Sequence, residues 1–103
     1  MIEPSDIELM LRVREGDTTA FHRLAVRYRE PLGRFFRAIL ADRSQADDFV
    51  QETLLRLWIT RDRYEPTGKF STYLFQIGKH YCSTSARSFS FRLRRRILGS
   101  YRS

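Results

Sequence analysis

Acidic side chains run out well before the end of this chain: no Asp or Glu follows Glu65. All 12 lie at or before that residue, whereas Lys69, Lys79, Arg87, Arg92, Arg94, Arg95, Arg96 and Arg102 come after it. The net charge of +7 therefore divides into −1 for residues 1–65 and +8 for residues 66–103. Cysteine is nearly absent too. Cys82 stands alone, which excludes an internal disulfide and fits a reducing compartment, so a cytoplasmic location is expected. No apolar run approaches the roughly 20 residues that span a bilayer. The opening Met-Ile-Glu-Pro-Ser-Asp has no basic stretch followed by an apolar one, so no signal peptide is read.

Catalytic chemistry is equally thinly supplied. Gly68 is isolated, which leaves no glycine-rich loop to cradle a phosphate. His80, Tyr81 and Cys82 are consecutive, so on a helix they point about 100° apart and cannot converge on one metal. Asp47 and Asp48 diverge for the same reason, and His22 reads as a surface or boundary histidine. Neither an enzyme nor a cofactor or metal is expected.

What is present reads as one all-α domain of 103 residues, too short for two cores. Ser5 and Glu8 fit a capping box that opens a first helix to about Glu15, where Gly16 can take the left-handed closing position. Asp17 caps a second helix whose Phe21, Leu24, Ala25, Tyr28, Leu32, Phe35, Phe36 and Ile39 keep helical phase straight through Pro31. That pattern predicts one helix kinked at Pro31, or two nearly continuous ones. Asp42 and Ser44 cap a third, with Ala46, Phe49, Val50, Leu54, Leu57 and Trp58 on one stripe. Residues 61–69, RDRYEPTGK, carry turn chemistry, and Ser71 is expected to cap a fourth helix. The result is a compact bundle of four main helices over residues 1–87. Residues 88–103 read as a basic tail or linker, or a short fifth helix.

Two surfaces carry the functional signal. On the third helix Asp48, Gln51, Glu52 and Leu55, spaced i, i+3, i+4, i+7, form a strip opposite the core stripe, suited to a basic partner helix. On the fourth, Thr72, Gln76, Lys79, His80, Ser83 and Arg87 supply hydrogen-bonding and cationic groups with no carboxylate, the chemistry that base edges and phosphates require. Ahead of that strip stand Tyr64, Phe70 and Tyr73 around a Pro-Thr-Gly-Lys turn. A stacked base gains roughly 1–3 kcal/mol on such a ring. Pulling a base from a duplex costs a few kcal/mol. The two nearly cancel, so this surface could hold a flipped base but could not melt DNA unaided.

The runs "ADDFVQETLLRLW" (46–58) and "RDRYEPTGKFSTYLFQIGKH" (61–80), with "DIELMLRVREGDTTAFHRLAVRYREPL" (6–32) before them, resemble region 2 of the extracytoplasmic-function (ECF) sigma factors of bacterial RNA polymerase. That resemblance implies that Asp48, Gln51, Glu52 and Leu55 dock on the clamp coiled-coil of the polymerase largest subunit. It implies that Tyr64, Lys69, Phe70, Ser71, Thr72, Tyr73, Gln76, Lys79 and His80 bind the minus-ten element, mainly its non-template single strand, and hold a flipped base. Ser83 and Arg87 extend the same face. An anti-sigma factor is a further expected partner, and the free domain is expected to be a monomer. The chain departs from the family at Tyr73, where ECF proteins commonly have Trp, at His80, where Asn is common, and at Thr84, where Asp is common. No second helical domain with a helix-turn-helix follows within these residues, so minus-thirty-five recognition is not expected of them.

Two competing readings remain. A sigma-like interaction module would bind the clamp or an anti-sigma factor without reading promoters. A membrane-surface protein would use the Arg-rich tail with Phe89, Phe91 and Leu93.

Overall fold

The computed structural model describes residues 3–85 and contains, among them, four α-helices and no strand. They are α1 (Asp6–Arg14), α2 (Thr18–Ile39), α3 (Ala46–Ile59) and α4 (Phe70–Ser85), with short 3-10 turns at Arg43–Gln45 and Arg61–Arg63. Arg87 and the expected tail at 88–103 lie outside the described residues. Among the described residues no helix is long and apolar enough to cross a membrane.

Local chemistry sets most of the boundaries. The Glu8 amide donates to Ser5 Oγ at 3.1 Å, closing the first turn of α1. Gly16 has φ of +93°, a conformation that only glycine adopts cheaply, and it turns the chain into Asp17. Asp17 Oδ1 then accepts from the Ala20 amide at 3.1 Å to open α2. The helix runs unbroken past Pro31, which lacks the N–H that would otherwise bond the Arg27 carbonyl. Of the two forms the sequence allows, the structure shows the single helix.

Two caps differ from expectation. Asp42, not Ser44, is the capping residue, and it opens the Arg43–Gln45 turn by accepting from the Ser44 amide at 3.1 Å and hydroxyl at 2.6 Å. α3 grows out of that turn with no side-chain cap, its first turn carrying Asp47 and Asp48 beside the positive end of the helix dipole. Similarly α4 begins at Phe70, so Ser71 already lies inside its first turn. The helix thus starts two residues earlier than a Ser71 cap would place it, with the Phe70 ring buried in its first turn.

Successive helices pack on one another, α1 on α2, α2 on α3 and α3 on α4. Leu9, Met10 and Val13 of α1, Leu24, Leu32 and Phe36 of α2, Phe49 and Leu57 of α3, and Leu74 and Tyr81 of α4 build the core. Each fully buried Leu or Phe contributes roughly 1.5–3 kcal/mol. Phe36 is central, its ring lying 5.4 Å from that of Phe49, which in turn lies 4.9 Å from Tyr81. Gly78 lets α4 come close: a Cβ there would sit 3.1 Å from the tip of Phe36. Ile39, expected in the stripe, is 50 % exposed at the final residue of α2. Thr53, which the sequence pattern passes over, is fully buried because its hydroxyl is satisfied by the Phe49 carbonyl at 2.7 Å.

Candidate functional site

The loop between the Arg61–Arg63 turn and α4 is held at both ends. At its start the Tyr64 amide donates to the Arg61 carbonyl at 3.2 Å, and the Tyr64 carbonyl accepts from Arg14 Nη1 of α1 at 2.9 Å. A turn at Pro66 follows, with the Thr67 amide donating to the Glu65 carbonyl at 2.8 Å. Lys69 closes the loop as its carbonyl accepts from the Tyr73 amide at 3.3 Å. Residues 65–69 are exposed throughout.

Three rings form a stepped cluster under this loop. Tyr64 and Phe70 are each only 2 % exposed, whereas Tyr73 is half-buried. The Tyr73 ring meets Tyr64 edge-on with centroids 5.1 Å apart and lies 6.3 Å from Phe70. Phe70 also packs edge-on against Tyr28 of α2 at 5.5 Å. The expectation that the Tyr64 and Phe70 side chains touch DNA is therefore corrected: both rings are closed off by the core and form the floor on which Tyr73 rests. Burial pushes the Tyr64 phenol above its ordinary pKa, the neighbouring Tyr73 adds to this, and Arg14 opposes it. The Tyr64 hydroxyl has no hydrogen-bond partner among the described residues.

Beyond Tyr73, α4 turns Thr72, Gln76, Lys79, His80 and Ser83 to solvent, with Lys69 exposed just ahead of them. Ser71 is half-buried. Thr72, Gln76, Lys79 and Ser83 recur at helical spacing along one exposed face with His80 beside them, while Arg87 of the expected strip lies outside the described residues. Among the described residues neither Lys69 nor Lys79 takes part in an ion pair. The Thr84 hydroxyl is turned back on its own helix, bonding the Tyr81 carbonyl at 2.9 Å. Lone His22 and His80 are both exposed, and burial pushes the half-buried Cys82 thiol up.

The α3 strip is less uniform. Asp48 and Gln51 are exposed and Leu55 is half-buried. Glu52 is turned inward: its side chain is 10 % exposed and its Oε2 lies 3.3 Å from Arg56 Nε, whose guanidinium sits 4.7 Å over the Tyr81 ring. Asp47, absent from the expected set, is exposed beside Asp48.

Between α2 and α3 lies a feature that the sequence pattern does not reveal, an open cleft of about 870 Å³. Phe21, Val50, Leu54, Leu55 and Trp58 line it, and Arg29, Asp47 and Gln51 stand among them. Phe21 and Trp58 pack at 5.2 Å, and Arg61 covers Trp58 at 4.1 Å. Val50, Leu54 and Trp58 match a core stripe in sequence. Their second role as cleft walls follows from where α2 begins, which periodicity cannot supply.

Comparison with known proteins places this geometry in context. The sigma-70 region 2 family pattern matches residues 24–96. The RNA polymerase sigma factor NccH of Alcaligenes xylosoxydans xylosoxydans is 34 % identical over 79 residues, which cover 76 % of this chain and 42 % of that protein. CnrH of Cupriavidus metallidurans, also an RNA polymerase sigma factor, is 30 % identical over 76 residues, covering 74 % and 40 %. The ECF RNA polymerase sigma factor SigW of Bacillus subtilis is 28 % identical over 76 residues, covering 69 % and 41 %. The chain thus spans about two fifths of the length of these relatives. Among solved structures, an NMR structure of an engineered region 2 of sigmaE in complex with GTAAAA superposes with a TM-score of 0.70 at 30 % identity, over 84 % of this chain and 96 % of that one.

Proposed function

This chain belongs to the sigma-70 region 2 family, and from that premise we propose that it binds the RNA polymerase core and reads the promoter minus-ten element as a single strand to start transcription. The observation that carries the reading is the α4 face. A half-buried tyrosine on a sealed aromatic floor leads into Thr72, Gln76, Lys79, His80 and Ser83, all exposed and with no carboxylate among them. A flipped base would stack on Tyr73, the amide and hydroxyls would meet base edges, and Lys69 and Lys79 would meet phosphates. Tyr64 and Phe70 serve by fixing the angle of Tyr73. The solved relative named for its complex with GTAAAA supports the same ligand class.

Docking on the clamp coiled-coil of the polymerase falls to the α3 side. Asp47, Asp48 and Gln51 would meet a basic helix while Leu55 and the apolar cleft accept its side chains. Glu52 contributes from within, by holding Arg56. The polymerase then supplies the strand separation that base stacking alone cannot. A cytoplasmic location, a monomeric free state, an anti-sigma partner able to cover the cleft, and a division between the domain at 1–87 and the tail at 88–103 belong to the same proposal.

Core polymerase co-purification tests it. Asp47→Arg with Asp48→Arg should abolish association while leaving the unfolding temperature within a few degrees, since both side chains are exposed. Undiminished association would remove the docking assignment. The Thr84 hydroxyl, bonded back onto α4, favours a second reading in which this chain binds the clamp without discriminating bases. Intact clamp binding with no preference in a randomised single-stranded pool would select that reading.

A further inference from the structure

We infer that α1 is a lock on the nucleic-acid loop, with its first residue, Asp6, and its last, Arg14, acting as positioning residues for Tyr73. The inference rests on the reading of the α4 face as the single-strand surface. Arg14 is the more direct of the two. Its Nη1 reaches across 50 positions of sequence to the carbonyl of Tyr64, the residue from which the exposed loop departs. A cation in the last turn of a helix is ordinary complement to the helix dipole. A charge-assisted bond to the backbone at the base of a distant loop is not explained by that, and it fixes where the loop begins.

Asp6 acts through a ring. Its carboxylate accepts from the Tyr28 hydroxyl and from Arg27 Nη1, the latter at 2.8 Å. Tyr28 in turn presents its edge to Phe70, 5.5 Å away, and Phe70 lies 6.2 Å from Tyr64 and 6.3 Å from Tyr73. Both ends of α1 therefore terminate on the same aromatic cluster, one on backbone and one through edge-on rings. The family match begins at residue 24, past the end of α1, so it covers the aromatic cluster but neither Asp6 nor Arg14.

The physical consequence is a population effect. A loop that samples open conformations binds with an apparent affinity reduced by the fraction that is competent. Removing one charged hydrogen bond at the base of the loop should lower the ratio of competent to open loop roughly tenfold, and the affinity by up to that factor. Arg14 touches no nucleotide in this scheme; it acts through Tyr64.

The probe is the hexamer that the wild-type domain enriches from a randomised single-stranded pool, labelled with fluorescein. Arg14→Ala should bind it about tenfold more weakly. Arg14→Lys, which keeps a donor and a charge, should recover to within about threefold of wild type. Tyr28→Phe, which keeps the ring on Phe70 and removes only its hydrogen bond to Asp6, should lose about threefold. Association with core polymerase should be unchanged in all three, and amide exchange should quicken at residues 64–69 while α3 stays protected. Equal hexamer affinity of Arg14→Ala and wild type would overturn the inference alone. So would parallel loss of polymerase association, which would make Arg14 a general structural residue. If Arg14→Ala fails to fold, the Arg14→Lys and Tyr28→Phe comparison decides: wild-type affinity together with wild-type exchange in Tyr28→Phe overturns the lock. Should the wild-type domain itself enrich nothing from the pool, the single-strand reading fails and the lock falls with it.

Discussion

The outer sides of α3 and α4 are both polar, yet their charges are held in opposite ways. On α3, Glu52 is turned in and tied to Arg56, Asp47 and Asp48 sit at the dipole-favoured end of the helix, and an apolar cleft opens alongside. On α4, Lys79 and His80 are exposed, and Lys79 has no ion-pair partner among the described residues. A shaped, internally tied surface suits a partner with a fixed fold, which repays complementarity of form. Free cations on long side chains suit a flexible strand whose phosphates have no fixed position and whose counterions are released on contact. The two proposed partners should therefore be separable by mutation and by salt. Polymerase association should depend on shape as well as on the exposed Asp47 and Asp48, and single-strand binding should fall more steeply as salt rises.

The widest test attacks what the two sides share. Phe36 of α2 packs on Phe49 of α3 and lies against Gly78 of α4, so it sets the relation between the faces. Phe36→Ala should cost about 3–5 kcal/mol of stability, the range for emptying a fully buried aromatic site. Urea titration would read the loss as a lower midpoint. Both binding activities should fall together, and the survival of one at full strength would mean that the faces do not depend on a common core.

A sharper cut separates them. Tyr73→Ala should weaken single-strand binding by about 1–3 kcal/mol, seen as a shift in a fluorescence titration. Polymerase association should not change, because the ring contacts of Tyr73 are with Tyr64 and Phe70, outside the α3 strip. Tyr73→Trp should retain affinity, since either ring offers a stacking surface. An unaffected titration for Tyr73→Ala would remove the stacking role.

These two sides were legible in the sequence to different degrees, for physical reasons. The α4 strip depends only on helical spacing within one element, so Thr72, Gln76, Lys79, His80 and Ser83 could be placed together before any tertiary arrangement was known. The caps at Ser5 and Asp17 and the turn at Gly16 were readable for the same reason, each being a local hydrogen bond or a backbone angle. Burial within the loop was not, because Tyr64 is enclosed by Phe70 and Tyr73 from α4 and carries Arg14 from α1 on its carbonyl. The cleft beside α3 was hidden because its walls come from two helices. Glu52 illustrates the limit most clearly. Spacing put it in line with Asp48 and Gln51, whereas its orientation is decided by Arg56 and, through Arg56, by Tyr81 on another helix.

That orientation gives the finest test of the contrast. Glu52→Gln preserves side-chain volume and removes only the charge facing Arg56. The pair is spaced i, i+4, and the Arg56 side chain is 41 % exposed, so solvent screening limits its worth to about 0.3–0.5 kcal/mol. Arg56 keeps its place over Tyr81 by stacking, 4.7 Å from the ring, so the helix contact should survive. A slightly lower urea midpoint is expected, with the difference from wild type shrinking in high salt. Polymerase association should change far less than it does for the exposed Asp48, because the Glu52 carboxylate is engaged within the domain. If Glu52→Gln instead abolished association as fully as the Asp47→Arg, Asp48→Arg pair, the carboxylate would have to leave Arg56 to meet the partner, and the α3 side would be as freely charged as α4.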